Sequence, residues 1–355
     1  MSKNNITKKR IAVVFGGPSG EHEVSLKSAS QVISALDKDK YEIIPMAITK
    51  TGHWLVGEDG EKYMNDNLGK AGREGGVEAG NIFEIRNKLP GIFPKVDLVL
   101  PIIHGTFGED GKLQGALEMF GLSYAFSGIL ASALAMNKRK TKIIAKAVGL
   151  KIAKDVVVAK GKKFNSEKII AKLNFPIVIK PVELGSSIGT SLANSEQELK
   201  KGIEDAFGYG EEVLLEQFVK GRELTVTVMG DKTPKALPVI EIIPKVSNWF
   251  DYRAKYEAGG SEEVCPAEIP EEVRKIVQRY AVKVFRAIGC RDLARADFIW
   301  SANDGKLYFL EINTIPGMTT TSLAPQAAAV AGMEFSVFLD KLIEGVIKRY
   351  TRKKK

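Results

Sequence analysis

Residues 295–321, RADFIWSANDGKLYFLEINTIPGMTTT, restrict the fold more than any other stretch. They read as two strands joined by a tight turn. Ala296, Phe298 and Trp300 alternate with Asp297 and Ile299. After the turn, Leu307, Phe309 and Glu311 alternate with Tyr308, Leu310 and Ile312. Asn303-Asp304-Gly305 is a strong hairpin signal between them. One face of such a ribbon packs on a core and the other is free to carry acids. Asp297, Glu311 and Asn313 then converge at one end, with Arg295 on the face of Asp297. Oxygen donors without His or Cys suit Mg²⁺, which takes a few protein carboxylates plus waters and substrate phosphates. Taken alone, the same acids also fit a pair of solvated carboxylates at a hairpin end.

The chain has 355 residues, enough for two or three domains. No apolar run approaches the ~20 residues that span a bilayer, and the short strand after the basic start leads straight into a glycine turn, so a cytoplasmic location is the default expectation. Two cysteines, Cys265 and Cys290, give no disulfide framework. The three histidines, His22, His53 and His104, exclude HExxH zinc chemistry. A net charge of +9 raises nucleic acid as a partner. The excess is spread out, however, and no basic stretch is interleaved with aromatics for base stacking, so no nucleic-acid partner is expected.

Residues 11–15 form a short, fully apolar strand, the mark of a buried parallel sheet. A glycine turn and a helix follow, with Ala29, Val32, Ile33 and Leu36 on one face. Glu21 stands at the start of that helix, where it either caps or receives an ammonium. Residues 56–81 are polar and glycine-rich and read as an irregular excursion. The strand at 96–103 ends in His104 and the loop GTFGEDG, where ligands bind in open α/β sheets. Residues 130–148 read as one helix rich in Ala and Lys. Beyond it, strands alternate with helices in a smaller domain. There Lys138 and Lys180, the latter closing the strand FPIVIK before PVELGSSIGTS, suit phosphate oxygens. Residues 248–260, aromatic and charged with glycines at the end, read as a lid.

Seven motifs in order, from VVFGGPSGEHEVSL through HGTFGEDGKLQG, KPVELGSSIGTS, LEQFVKGRELTV, DYRAKYEAGG and RADF to LEINTIPGMTTTSLAP, resemble the D-alanine–D-alanine ligase family of the ATP-grasp superfamily. The resemblance covers nearly the whole chain. It implies an α/β and α+β multidomain fold: an N-terminal parallel-sheet, pre-ATP-grasp domain over 1–133, then an ATP-grasp fold in two parts, 134–219 and 220–355, the last with the metal site and the omega-type lid. It implies ATP-dependent ligation of two D-alanines through an acyl phosphate, for peptidoglycan precursor and cell-wall synthesis, in a cytoplasmic homodimer that binds no membrane.

The resemblance also assigns roles to residues. Asp297, Glu311 and Asn313 hold two Mg²⁺ or Mn²⁺ ions, with Glu311 bridging. Lys138, Lys180 and Ser187 grip ATP phosphates, and Lys255 on the lid reaches the γ-phosphate. Glu216, Phe218, Val219 and Glu223 contact adenosine. Arg295 and the Gly317 N–H form the oxyanion site. Glu21 takes the ammonium of the first D-alanine and His104 sits near its carboxylate. Ser322 and Leu323 bind the carboxylate of the second. Ser186 and Tyr256 hydrogen-bond Glu21 and tie the lid to it. The chain departs from the family pattern at Asn137, where an Asp usually precedes the lysine, at Val182-Glu183-Leu184, and at His22. Three alternatives stand beside this one: D-alanine–D-lactate ligation, D-alanine–D-serine ligation, and a non-catalytic nucleotide-binding protein on the same fold.

Overall fold

In the computed structural model of the chain, the described residues are 8–69, 94–245 and 259–353. Three sheets organise them. The N-terminal sheet contains β1 (Lys9–Gly16), β2 (Tyr41–Ile48), β3 (Trp54–Val56) and β4 (Leu98–Ile102), in the order β3-β2-β1-β4. β1 runs parallel to β2 and to β4, in keeping with its apolar sequence, while β3 closes one edge antiparallel. α1 (His22–Ala35) follows the glycine turn after β1. Part of the stretch expected to be irregular is helical: α2 (Glu58–Asn67) carries Glu58, Asp59 and Glu61 in its first turn, where they complement the positive helix end, and it buries Met64.

After α3 (Lys112–Met119), the segment read as one helix is two, α4 (Ile129–Met136) and α5 (Lys138–Ala147). Asn137, with ψ of 97°, breaks the run, and its side-chain oxygen accepts from Lys140 N at 2.9 Å, which caps α5. The central sheet is antiparallel in the order β5-β8-β6-β7: β5 (Asp155–Ala159), β6 (Ile177–Pro181), β7 (Ser191–Ala193) and β8 (Glu212–Gln217). α6 (Ser166–Leu173) and α7 (Glu196–Ala206) cover it, around a core that includes Leu173, Ile179, Leu199 and Leu215.

The third sheet comprises β9 (Gly221–Gly230), β10 (Lys235–Ala236), β11 (Ile240–Pro244), β12 (Ser261–Val264), β13 (Asp292–Ser301) and β14 (Leu307–Asn313). Its order is β12-β11-β9-β13-β14, with β10 on β9. α8 (Glu271–Ile288) packs on one face. The boundary expected at residue 133 falls inside α4. Ala131, Ala135, Ala145 and Leu150 are buried with Val284 and Phe285 of α8, so α4 and α5 join the third region's core. α9 (Leu323–Val330) and α10 (Phe335–Lys353) turn back: Ala327, Phe338 and Leu342 share a core with Leu26, Val32 and Leu100 of the first region. The first and third regions therefore share apolar packing, and the central sheet has its own. Among the described residues no helix is long and apolar enough to cross a membrane.

The ribbon of β13 and β14 departs from simple alternation. Asp297 pairs with Glu311 but Phe298 pairs with Phe309, which leaves Leu310 unpaired in a bulge. Strict alternation would have put Glu311 on the face of Leu307 and Phe309. The bulge reverses the faces. Leu307, Phe309 and Ile312 are buried in the core, the rings of Phe298 and Phe309 meeting edge-on at 5.6 Å, and Glu311 and Asn313 face the cleft with Arg295.

Candidate active site

Two cavities meet at the end of this ribbon. The larger, about 700 Å³, lies among the first region, the loop after β6 and the end of β14. Glu21, His104, Ser186, Arg295, Asn313, Gly317, Ser322 and Leu323 line it. The smaller, about 330 Å³, lies between the central and third sheets. Lys180, Ser187, Glu216, Phe218, Val219, Glu223 and Asp297 line it. Lys138 and Glu311 stand in the walls of both, and the Lys138 ammonium is 3.4 Å from the Glu311 carboxylate. Lys255 and Tyr256 lie outside the described residues.

Glu21 precedes α1 but makes no capping bond. Instead Ser186 Oγ donates to its carboxylate across the cleft. The backbone comes close here. A β-carbon on Gly105, whose φ is +73°, would strike Glu21 Oε2, so only glycine fits. Ser186 and Ser187 have φ of 54° and 57°, a left-handed conformation uncommon for non-glycine residues that turns the loop between the two cavities. The Lys138 ammonium donates to Leu184 O at 2.5 Å and holds that loop to α5.

His104 is nearly inaccessible, and both ring nitrogens are engaged. Nδ1 donates to Ile315 O at 3.0 Å and Nε2 accepts from Ser28 Oγ at 3.1 Å. Burial lowers its pKa, so the ring is neutral. It lines the larger cavity but keeps no ring nitrogen for a substrate carboxylate.

Arg295 is bidentate to Asp297, with Nε on Oδ1 and Nη2 on Oδ2, each at 2.9 Å. Burial works against its charge, but Asp297 and then Glu311 outweigh burial and raise its pKa. Thr225 Oγ1 donates to Asp297 at 2.5 Å and Asn313 Nδ2 at 3.0 Å. The Asn313 amide thus turns its nitrogen to Asp297 and leaves its oxygen for another partner. Among the described residues no group of three His, Cys, Asp or Glu forms a metal cluster. The set here has only two carboxylates, with an amide as third donor, and its all-oxygen chemistry fits Mg²⁺ or Mn²⁺. Thr314 is buried in the wall of the larger cavity, and its hydroxyl has no hydrogen-bond partner among the described residues.

Two residues of the site went unnoticed in the sequence. Lys142, almost wholly buried, pairs with Glu216 and lies 3.4 Å from Asp155, while Lys180 reaches Glu216 at 2.9 Å. Its signal was helical phase: Lys142 falls one turn after Lys138, beside buried Thr141 and Ala145. Burial alone would raise the pKa of Glu216, but Lys180 and Lys142 overcome burial and hold it well below the carboxylate range. Because the folded pKa is depressed, this stabilisation is complete above about pH 4.5, the ordinary value, and fades as pH falls below it. Lys142→Met should therefore destabilise the protein by about 2–4 kcal/mol at neutral pH. The gap to wild type should narrow in acid. Denaturant melts at pH 7 and pH 4 measure both, and a gap that does not change with pH contradicts the pairing. The second residue, Glu109, is buried in the GTFGEDG loop and accepts from Gly105 N at 3.0 Å and Ile315 N at 2.9 Å.

Comparison with known proteins gives the following. The family model for the D-ala D-ala ligase N-terminus matches residues 10–127 and that for the C-terminus matches residues 144–344. The chain is 41% identical over 346 residues to the D-alanine–D-alanine ligase of Desulfotalea psychrophila, covering 97% of each. It is 39% identical over 344 residues to D-alanine–D-alanine ligase B of Clostridium tetani, covering 95% of this chain and 93% of that one. Among solved structures, the VanG D-Ala:D-Ser ligase of Enterococcus faecalis aligns with a TM-score of 0.79 at 35% identity, over 96% of this chain and all of that one. The Bacillus anthracis D-alanine–D-alanine ligase complexed with ATP aligns with a TM-score of 0.75 at 29% identity, over 97% and 99%.

Proposed function

The chain belongs to the D-alanine–D-alanine ligase family, and from that we propose that it joins two D-alanine molecules, converting ATP to ADP and phosphate, in the synthesis of peptidoglycan precursors. The observation that carries this reading is the position of Lys138 and Glu311 in the walls of both cavities. A nucleotide in the smaller cavity presents its γ-phosphoryl group to an amino-acid carboxylate in the larger one at that shared wall.

The adenosine lies against Phe218 and Val219, with Glu216 and Glu223 toward its polar edge and ribose. Lys138, Lys180 and Ser187 hold the phosphates. Asp297, Glu311 and Asn313 would hold two Mg²⁺ or Mn²⁺ ions, whose charge would offset that of the phosphoryl group in transfer. Glu21 receives the ammonium of the first D-alanine, and Ser186 fixes the Glu21 rotamer. The first carboxylate takes the phosphoryl group and ADP departs. The amine of the second D-alanine, its carboxylate held by Ser322 and Leu323 at the N-terminus of α9, then attacks the acyl carbon. Arg295 and the Gly317 N–H stabilise the oxyanion, and phosphate leaves. A β-carbon on Gly317 would lie 2.7 Å from Ser322 Oγ and would force that side chain to shift. Lys255 and Tyr256 close the lid, which keeps the acyl phosphate from water. The working enzyme is a cytoplasmic homodimer that engages neither nucleic acid nor membrane.

D-serine as the second substrate is the nearest alternative. The D-Ala:D-Ser ligase and the Coxiella burnetii D-alanine–D-alanine ligase align equally well, each with a TM-score of 0.79. The deciding measurement is phosphate release with ATP and Mg²⁺, with D-alanine alone and with D-serine or D-lactate added. Release that requires D-alanine and yields the D-alanyl dipeptide is expected. Release without D-alanine, or none at all, overturns the reading.

A further inference from the structure

The end of β14 carries Asn313, and two residues after Ile315 comes Gly317. Pro316, between them, has no N–H to hold. Ile315 offers an N–H and a C=O, and the first region holds both. Its N–H goes to Glu109 Oε2 at 2.9 Å, and its C=O accepts from His104 Nδ1 at 3.0 Å. The other Glu109 oxygen accepts from Gly105 N at 3.0 Å, in the glycine segment packed against Glu21. Ile315 itself is buried in the core shared by the first and third regions.

We propose that Glu109 is a positioning residue for ligation: by clamping the Ile315 N–H it sets the direction of the Gly317 N–H, and by holding the Gly105 N–H it ties that direction to the pocket of Glu21. This inference rests on the proposed ligase reading. Glu109 lines the larger cavity, but its part in that reading is to hold the backbone: each of its oxygens accepts from a backbone N–H. Its burial, and then the nearby Glu21 charge, push its pKa up to about 7, against the two backbone N–H donors, which favour the carboxylate. The acceptors are what matter. Glu109→Gln would turn an NH₂ toward one of two buried backbone N–H groups, donor against donor, and the turn would shift.

A shift at Gly317 acts on the second half-reaction. The acyl phosphate still forms, because among the described residues the nucleotide cavity draws no wall from the 104–111 loop. Attack by the amine slows, and water consumes the intermediate. Phosphate released per dipeptide is therefore the informative quantity, since it does not depend on how much of the enzyme is folded. Wild type should release one phosphate per dipeptide. Glu109→Gln should release several, with dipeptide kcat down on the order of 10- to 100-fold and KM for ATP within about twofold of wild type. Glu109→Asp, which keeps the charge but is too short to span both amides, should shift the ratio the same way if the amide variant folds poorly. A ratio of one in the folded variants overturns the clamp. A wild type that makes no dipeptide overturns the ligase reading itself.

Discussion

Glu311→Gln is expected to lower kcat by about 100-fold or more while the protein still folds. The substitution keeps the shape of the side chain and removes one charge. Glu311 is paired in register with Asp297, lies 3.4 Å from the Lys138 ammonium, and lines both cavities. If it bridges two cations around the transferred phosphoryl group, losing its charge removes about 3 kcal/mol of stabilisation from the transition state. The fold should hold, because Glu311 faces the cleft while its neighbours Phe309 and Ile312 fill the core. Steady-state kinetics at saturating Mg²⁺, with a thermal melt beside them, make the comparison. A kcat near wild type would sink the metal assignment.

Arg295→Met should cost both stability and activity. Asp297 is almost wholly buried, and its carboxylate takes two hydrogen bonds from the Arg295 guanidinium. Without that cation, only Thr225 and the Asn313 amide remain as its hydrogen-bond donors among the described residues. Breaking a buried pair on one side costs about 3–5 kcal/mol. If Arg295 is the oxyanion donor proposed above, its loss slows the chemical step by about 10²- to 10³-fold. The two losses separate in one experiment. If Asp297 is a metal ligand, a bound Mg²⁺ would replace the missing positive charge, and added MgCl₂ should raise the Tm of the variant more than that of wild type. Equal Mg²⁺ shifts in the two proteins would show that Asp297 is not a ligand.

Legibility differed from residue to residue. The acid-bearing hairpin was visible because its turn signal and apolar alternation are local, spanning a few residues each. The bulge at Leu310 was not, because it adds one residue opposite a strand and depends on the neighbouring β13 rather than on the sequence of β14. Lys180 stood out at the close of an apolar strand, whereas Lys142 was lost in the basic run that starts at Lys138 and reads as a solvated face. The break at Asn137 was missed because the Ala-rich segment before it and the Lys-rich segment after it both favour helix, and one capping residue decides between one helix and two. Helix α2 was hidden by glycines that propensity counts against. Its packing against β2 and β3 outweighed that preference.

The amino-acid sequence by itself determined the inventory: strands and helices set by periodicity, oxygen-bearing side chains at a ribbon's end, lysines beside glycine-rich loops, and a family signature in seven ordered motifs. Those properties lie along the chain and survive without folding. Only the tertiary structure decided that Lys138 and Glu311 divide two cavities, that Lys142 neutralises Glu216, and that Glu109 grips Ile315 from 206 positions away. Such contacts depend on how three sheets and two shared cores meet, and buried charges find partners only where that packing excludes water.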